Sequence, residues 1–259
     1  MPVSLDYSGR VALVTGGGRG VGRGISERLL EAGATVVVCG RNEPESVPTA
    51  AGREAYFVQA DVREPEQVHA LVEATTSRHG RLDVLVNNAG GAPFAEAATA
   101  SPRFHEAMIR LNLTSGLHCA QAANAVMQEQ PEGGAIVHIT SVSGIRPSPG
   151  TAAYGAAKAG LLSLTQTLAV EWAPKVRVNA ITVGMVRTEQ AHLHYGDEAG
   201  IARVAATVPL GRLATPQDVG NACLFLCSPL ASYVSGASLL LHGGGEAPAF
   251  LAAVKDPTE

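Results

Sequence analysis

The stretch from Val11 to Cys39 narrows the possible folds more than any other. Val11 to Thr15 is a short apolar run rich in β-favouring residues, and it ends at Gly16-Gly17-Gly18-Arg19-Gly20-Val21-Gly22. A helical pattern follows, with Ile25, Leu29 and Leu30 on one side and Gly33 as its stop, before a second buried-type run at Thr35 to Cys39. Strand, glycine turn, helix and strand make one half of a βαβ unit. Glycines in such a turn let the backbone approach a pyrophosphate, and the helix N-terminus supplies amide donors and partial positive charge. The Gly-x-x-x-Gly-x-Gly spacing departs from Gly-x-Gly-x-x-Gly, so nucleotide binding rests on the turn's placement between strand and helix.

The same alternation continues along the chain. Glu43 to Arg53 carries Pro44 and Pro48, so any helix there should be short or absent. Tyr56 to Gln59 reads as a third strand, Glu66 to His79 as a helix opened by Pro65, and Leu82 to Val86 as a fourth strand running into Asn87-Asn88-Ala89-Gly90. Ser101 to Gln128 carries one long helical pattern with Ser101-Pro102 at its start, and Asn112 interrupts its apolar face. Strands are expected at Gly134 to Thr140, Val176 to Val183 and Ser238 to Leu241, with helices at Ala152 to Trp172 and Gln217 to Cys227. The reading is α/β: a single domain over 1–259, with one doubly wound parallel sheet and helices on both faces. The polar, aromatic-bearing segment 188–206 reads as a mobile lid.

The chemistry concentrates between Ser141 and Lys158. If a helix begins near Thr151, Tyr154 and Lys158 stand at i and i+4 on one face, a phenol beside an ammonium. An adjacent cation favours the phenolate, and moving a phenol from about 10 toward neutrality takes about 4 kcal/mol of differential stabilisation. Ser141 would then hydrogen-bond the oxygen that gains or loses the proton. After the second strand, Cys39-Gly40-Arg41-Asn42 offers no acid for a ribose 2′-hydroxyl, while Arg41 and Arg19 suit a 2′-phosphate, which favours NADP(H) and leaves NAD(H) possible.

Composition excludes several classes. A net charge of -4, with no run of lysine and arginine, leaves no electrostatic footprint for nucleic acid. Cys39, Cys119, Cys223 and Cys227 sit in apolar segments, where reduced core thiols are the rule, and no metal site is expected. His192 and His194 stand two apart and point to different sides of any helix, which argues against a shared metal. No secretory leader is read in the first ten residues and no run is long enough to span a membrane, so a soluble cytoplasmic protein with a small-molecule partner is expected.

With these pieces in order, the sequence resembles the short-chain dehydrogenase/reductase family over roughly Gly9 to Gly245. Thr15 to Gly22 resembles its cofactor loop, Asn87-Asn-Ala-Gly90 its strand-four motif and Tyr154-Gly-Ala-Ala-Lys158 its catalytic signature. The resemblance implies that Tyr154 is the general acid or base, that Ser141 polarises the substrate oxygen, that Lys158 meets the nicotinamide ribose, and that Asn112 supports a water relay to Lys158. It implies cofactor contacts at Gly16, Gly18, Arg19, Gly20, Val21, Gly22 and Arg41, at Asp61 and Val62 near the adenine, and at Asn88, Ala89 and Gly90. Tyr154, Lys158, Gly184, Val186 and Thr188 would complete the set. It also implies a homotetramer or homodimer, with helices near 101–129 and 151–173 at an interface. Three departures stand out: Val183-Gly184 where the family usually has Pro-Gly, which suggests a less rigid loop; Ala157 where serine is common; and His242 where an aspartate is common.

The expected function is NADP(H)-dependent interconversion of a ketone and a secondary alcohol, with a 3-oxoacyl thioester or a cyclic or steroid-like ketone as substrate. Arg146 and Arg187 lie near the pocket in sequence and would either steer an acidic or carrier-linked acyl group or face solvent. The alternatives are an NAD-dependent secondary-alcohol dehydrogenase of the same fold, or a non-catalytic dinucleotide sensor or scaffold. The second should have lost its proton-transfer residues, and this chain has kept them.

Overall fold

The computed structural model describes residues 5–248 and Phe250; the first four positions, read above for a leader, lie outside them. Seven parallel strands form one sheet: β1 (Val11–Thr15), β2 (Thr35–Gly40), β3 (Tyr56–Gln59), β4 (Val84–Asn87), β5 (Gly134–Ser141), β6 (Val176–Val183) and β7 (Ser238–Leu241). Their spatial order is β3-β2-β1-β4-β5-β6-β7, and every neighbouring pair is parallel. The chain therefore winds outward from β1 in one direction and from β4 in the other. The crevice between the carboxyl ends of β1 and β4 is where such sheets bind ligands.

Alternate residues of each strand feed opposite faces. Ala12 and Val14 of β1 pack with Ile25, Leu29 and Leu30 of α1 (Gly20–Glu31) and with the helix Pro216–Cys227. Leu13 points the other way, toward α2 (Pro65–His79) and the helices that follow β4 and β5. Two buried apolar clusters, one on each side of the sheet, result. Cys39, Cys119 and Cys223 are buried within them and Cys227 is half-buried; all four are unpaired. Burial pushes the Cys39 and Cys227 thiols up to about 12, so both are protonated and inert at neutral pH.

Helix boundaries follow the sequence signals closely. Ser101 caps α3 (Pro102–Ile109) by accepting from the Phe104 amide, and Thr215 with Asp218 forms a reciprocal capping box at Pro216. One feature differs from expectation, and two add detail that the sequence left open. The long helix from Ser101 is not regular, because a π-helical turn at Arg110–Thr114 separates α3 from α4 (Ser115–Glu129). Between β2 and β3 the two prolines leave room for a small antiparallel hairpin, Thr49–Ala50 against Arg53–Glu54. The 188–206 segment, read as a mobile lid, contains α6 (His192–Tyr195) and α7 (Glu198–Ala206), following α5 (Ala152–Glu171) and β6; α8 is Pro216–Cys227. Ala191, Ile201, Val208 and Leu213 bury a small apolar cluster of their own beneath it, which the polar run at its start concealed.

Candidate functional site

A cleft of about 600 Å³ opens at the carboxyl edge of the sheet. Its floor is the glycine turn. Asn88, at the end of β4, reaches across to β1 and donates to the carbonyls of Thr15 (3.0 Å) and Gly16 (3.3 Å), while the Thr15 hydroxyl accepts from the Asn88 and Ala89 amides. These bonds clamp the two strand ends at the point where the winding reverses. Gly22 is required there for space: a Cβ would lie 2.2 Å from the Gly16 carbonyl oxygen and 2.5 Å from Asn88 Nδ2. A Cβ on Gly90 would lie 2.7 Å from Asn112 Oδ1 and 3.5 Å from Lys158 Nζ.

Asn112 explains the π-helical turn. It is buried, and its amide is fully used: Oδ1 accepts from the Gly91 amide, and Nδ2 donates to the Gly91 and Met108 carbonyls, each at 3.0 Å. The wider turn aims the side chain at the loop after β4. Asn112 therefore stands behind the cleft as a clamp on Gly91 and does not line it.

Ser141 ends β5, and Tyr154 and Lys158 occupy successive turns at the start of α5, all three on the cleft wall. Lys158 is buried, and its ammonium donates to the Ile139 carbonyl at 2.9 Å. Nζ lies 5.6 Å from the centre of the Tyr154 ring. Burial lowers Lys158 to about 8. The lysine by itself does not depress the phenol in the cofactor-free protein. Burial raises Tyr154 above its ordinary value, the Ser141 hydroxyl opposes that rise, and nearby Tyr195 adds to it. The lysine is turned to the β5 backbone, so desolvation dominates and the phenol holds its proton.

At the far end of the cleft Arg19 and Arg41 are exposed and, among the described residues, neither has an ion-pair partner. Asp61 is held by Arg63, whose guanidinium keeps its carboxyl below the usual carboxylate range. Val62 lines the wall beside it, and Glu43, not singled out in the sequence, lines the same end. On the lid side Gly184, Val186 and Thr188 face the cleft. The loop expected to be less rigid without proline is pinned by backbone bonds: Gly184 donates to Leu241 (2.8 Å), Ala214 to Met185 (3.0 Å) and Arg187 to Ala214 (2.8 Å). His242, another departure, lies so close to Gly184 that a Cβ at Gly184 would stand 2.8 Å from the His242 Cβ.

The cleft thus brings together Gly16, Gly18, Arg19, Gly20, Val21, Gly22, Arg41, Asp61, Val62, Asn88, Ala89, Gly90, Ser141, Tyr154, Lys158, Gly184, Val186 and Thr188, and leaves Asn112 behind them. Sequence reasoning missed Glu189. Its carboxylate accepts from the Gly20 amide at 2.9 Å, an anion seated on the N-terminus of α1 across 169 positions of chain. A side-chain carboxylate on that amide, above a cradle that a Cβ at Gly22 would fill, shows that the turn suits a phosphate group. No set of three or more potential metal-ligating side chains converges among the described residues, and His192 and His194 are exposed. No helix among them is long and apolar enough to cross a membrane.

The chain is similar in sequence and fold to known proteins. A family model described as Enoyl-(Acyl carrier protein) reductase matches residues 16–246. The chain belongs to the short-chain dehydrogenase/reductase family. It is 35% identical over 244 residues to a probable 2,4-dienoyl-CoA reductase of Bacillus subtilis, covering 91% of this chain and 96% of that protein. It is also 35% identical to a 3alpha-hydroxysteroid dehydrogenase of Mediterraneibacter gnavus, over 90% of this chain and 96% of the relative. The ligand-free aldohexose dehydrogenase of Thermoplasma acidophilum superposes with a TM-score of 0.87 at 28% identity, covering 98% of each chain. The protein is accordingly an NAD(P)-dependent oxidoreductase of the short-chain dehydrogenase/reductase family, acting on a small molecule.

The buried ammonium yields a stability prediction. Below about pH 8 the folded and unfolded chains both hold the Lys158 proton, and the folded state carries the full burial penalty, about 3 kcal/mol. Between about pH 8 and 10.5 the unfolded chain holds more protons than the folded one, so stability rises with pH. Lys158→Met should therefore stabilise the cofactor-free protein by about 1–3 kcal/mol at neutral pH, with the advantage shrinking toward pH 10. Urea denaturation at both pH values measures it, and a variant less stable at neutral pH would contradict the analysis.

Proposed function

We propose that the protein interconverts a ketone and a secondary alcohol with NADP(H) as preferred cofactor. The observation that carries the reading is the half-buried Tyr154, its phenol raised above its ordinary value by desolvation, beside Ser141 on the wall of a cleft whose other end is a glycine turn suited to phosphate. The nicotinamide, when bound, supplies or accepts the hydride. Ser141 donates to the carbonyl oxygen and orients it toward the phenol. Tyr154, kept protonated by burial, gives its proton to the oxygen during reduction and takes one back during oxidation. Lys158, held through Ile139, fixes the first turns of α5 and keeps a positive charge beside the phenol. Asn112 positions Gly90 and Gly91 against that ammonium.

The glycine turn with Asn88 would hold the pyrophosphate, Asp61 and Val62 would flank the adenine, and Gly184, Val186 and Thr188 would face the nicotinamide. The carboxylate of Glu189 must leave Gly20 for a phosphate to enter, so the lid segment opens and closes with cofactor exchange. Arg19 and Arg41, neither of them ion-paired among the described residues, support NADP(H) over NAD(H), since a 2′-phosphate would supply the anion both lack. A homotetramer or homodimer through the α3–α4 and α5 surfaces is supported by Val170, an apolar residue of α5 left 80% exposed.

Two experiments test this. Tyr154→Phe should bind NADPH with the wild-type dissociation constant and reduce ketones at least about 1,000-fold more slowly; retention of more than about a tenth of the rate would remove Tyr154 from the proton transfer. Arg41→Asp should lower kcat/KM for NADPH about 10- to 100-fold while leaving NADH within a few-fold, as expected for loss of a charge-assisted phosphate contact. Equal effects on both cofactors would refute the 2′-phosphate assignment.

A further inference from the structure

A second cavity, about 280 Å³, adjoins the main cleft at Gly184. Val142, Ile145 and Met185 form its apolar wall, and Arg146, Glu246 and His242 its polar one. Arg146 follows β5 and Glu246 follows β7; Arg146 Nη2 donates to Glu246 Oε1 at 2.6 Å across 100 positions of chain. The pair is 40% and 35% exposed, so a ligand entering the cavity can reach both groups. Tyr195 of α6 belongs to the same cluster: the charges of Arg146 and Glu246 both act on its half-buried phenol, and that phenol in turn acts on Tyr154.

The pair decides what the far end of a substrate can be. An unpaired Arg146 would attract a carboxylate or phosphate, but Glu246 cancels that charge and repels a second anion. A neutral hydroxyl can accept from the guanidinium and donate to the carboxylate at once. Arg187, the other guanidinium that the sequence placed near the pocket, is likewise held, by Glu198 at 2.9 Å. We propose that the Arg146–Glu246 pair sets the substrate class: neutral ketones, or the matching alcohols, that carry a hydroxyl or a similar donor-and-acceptor group away from the reacting carbonyl, with substrates bearing a free anion there rejected. The inference rests on the ketone and alcohol reading above and names the substrate of that site.

The test uses two matched probes, 4-hydroxycyclohexanone and 4-oxocyclohexanecarboxylate, with the wild-type protein, Glu246→Gln and Arg146→Ala. Turnover is read from the reduced-nicotinamide absorbance, and probe binding to protein loaded with oxidised cofactor is read separately by calorimetry. Exposed pairs contribute little to folding, so both variants keep the fold. The wild type should favour the hydroxylated probe about 10-fold or more in binding and in kcat/KM. Glu246→Gln should narrow or reverse that ratio by about 10-fold, because Arg146 is then free to take the carboxylate, whereas Arg146→Ala should weaken the hydroxylated probe and leave the carboxylate rejected. Equal treatment of the probes by the wild type, a ratio unmoved by Glu246→Gln, or no binding of either probe to any variant would overturn the proposal. Selective binding without turnover would uphold this inference while counting against the reaction assigned to Tyr154, so the two failures are distinguishable.

Discussion

Everything at the site depends on strand ends that part company. In a sheet ordered β3-β2-β1-β4-β5-β6-β7 with all strands parallel, connections leave β1 and β4 in opposite directions, and no helix can cover the gap between them. Asn88 and Thr15 hold that gap at a fixed width through four hydrogen bonds. The glycine turn, the Asn88–Gly91 loop, Ser141 and the Gly184–Thr188 segment all leave the sheet at this one edge. Residues spread over most of the chain therefore meet without any of them bending the fold.

On that edge the buried lysine couples structure to chemistry. A buried ammonium that donates to a backbone carbonyl is costly to fold around, and its lowered pKa expresses the cost. The fold meets that cost at a place where α5 must be locked to β5, which fixes Tyr154 relative to Ser141. Asn112 acts from the other side: its π-helical turn, costly in a regular helix, closes Gly90 and Gly91 over the same ammonium. Functional sites are where local rules of this kind are broken.

Much of this was legible in the sequence, and for identifiable reasons. The strands are short apolar runs bounded by glycine or asparagine, Pro65, Pro102 and Pro216 mark helix starts, and the Tyr154–Lys158 spacing is set by one helical turn. What was not legible depends on long-range contact. The seating of Glu189 on Gly20 and the Arg146–Glu246 pair join residues far apart in sequence, and no local pattern announces either. The π-helical turn inserts one residue into a helical repeat, and the periodicity around Leu111 and Leu113 absorbs it without a break. The phenol's raised pKa also escaped, since adjacency in sequence says which charges are near and says nothing of where a flexible lysine points.

The central claim is that burial keeps Tyr154 protonated, so that it begins ketone reduction as an acid. The most direct measurement is the pH dependence of kcat/KM in both directions from about pH 6 to about pH 9. Reduction should stay flat across that range and alcohol oxidation should rise with pH, because the base form becomes available only as the raised phenol titrates. Reduction that declines through neutral pH, or oxidation that is already flat there, would mean that the phenol ionises early and would contradict the account.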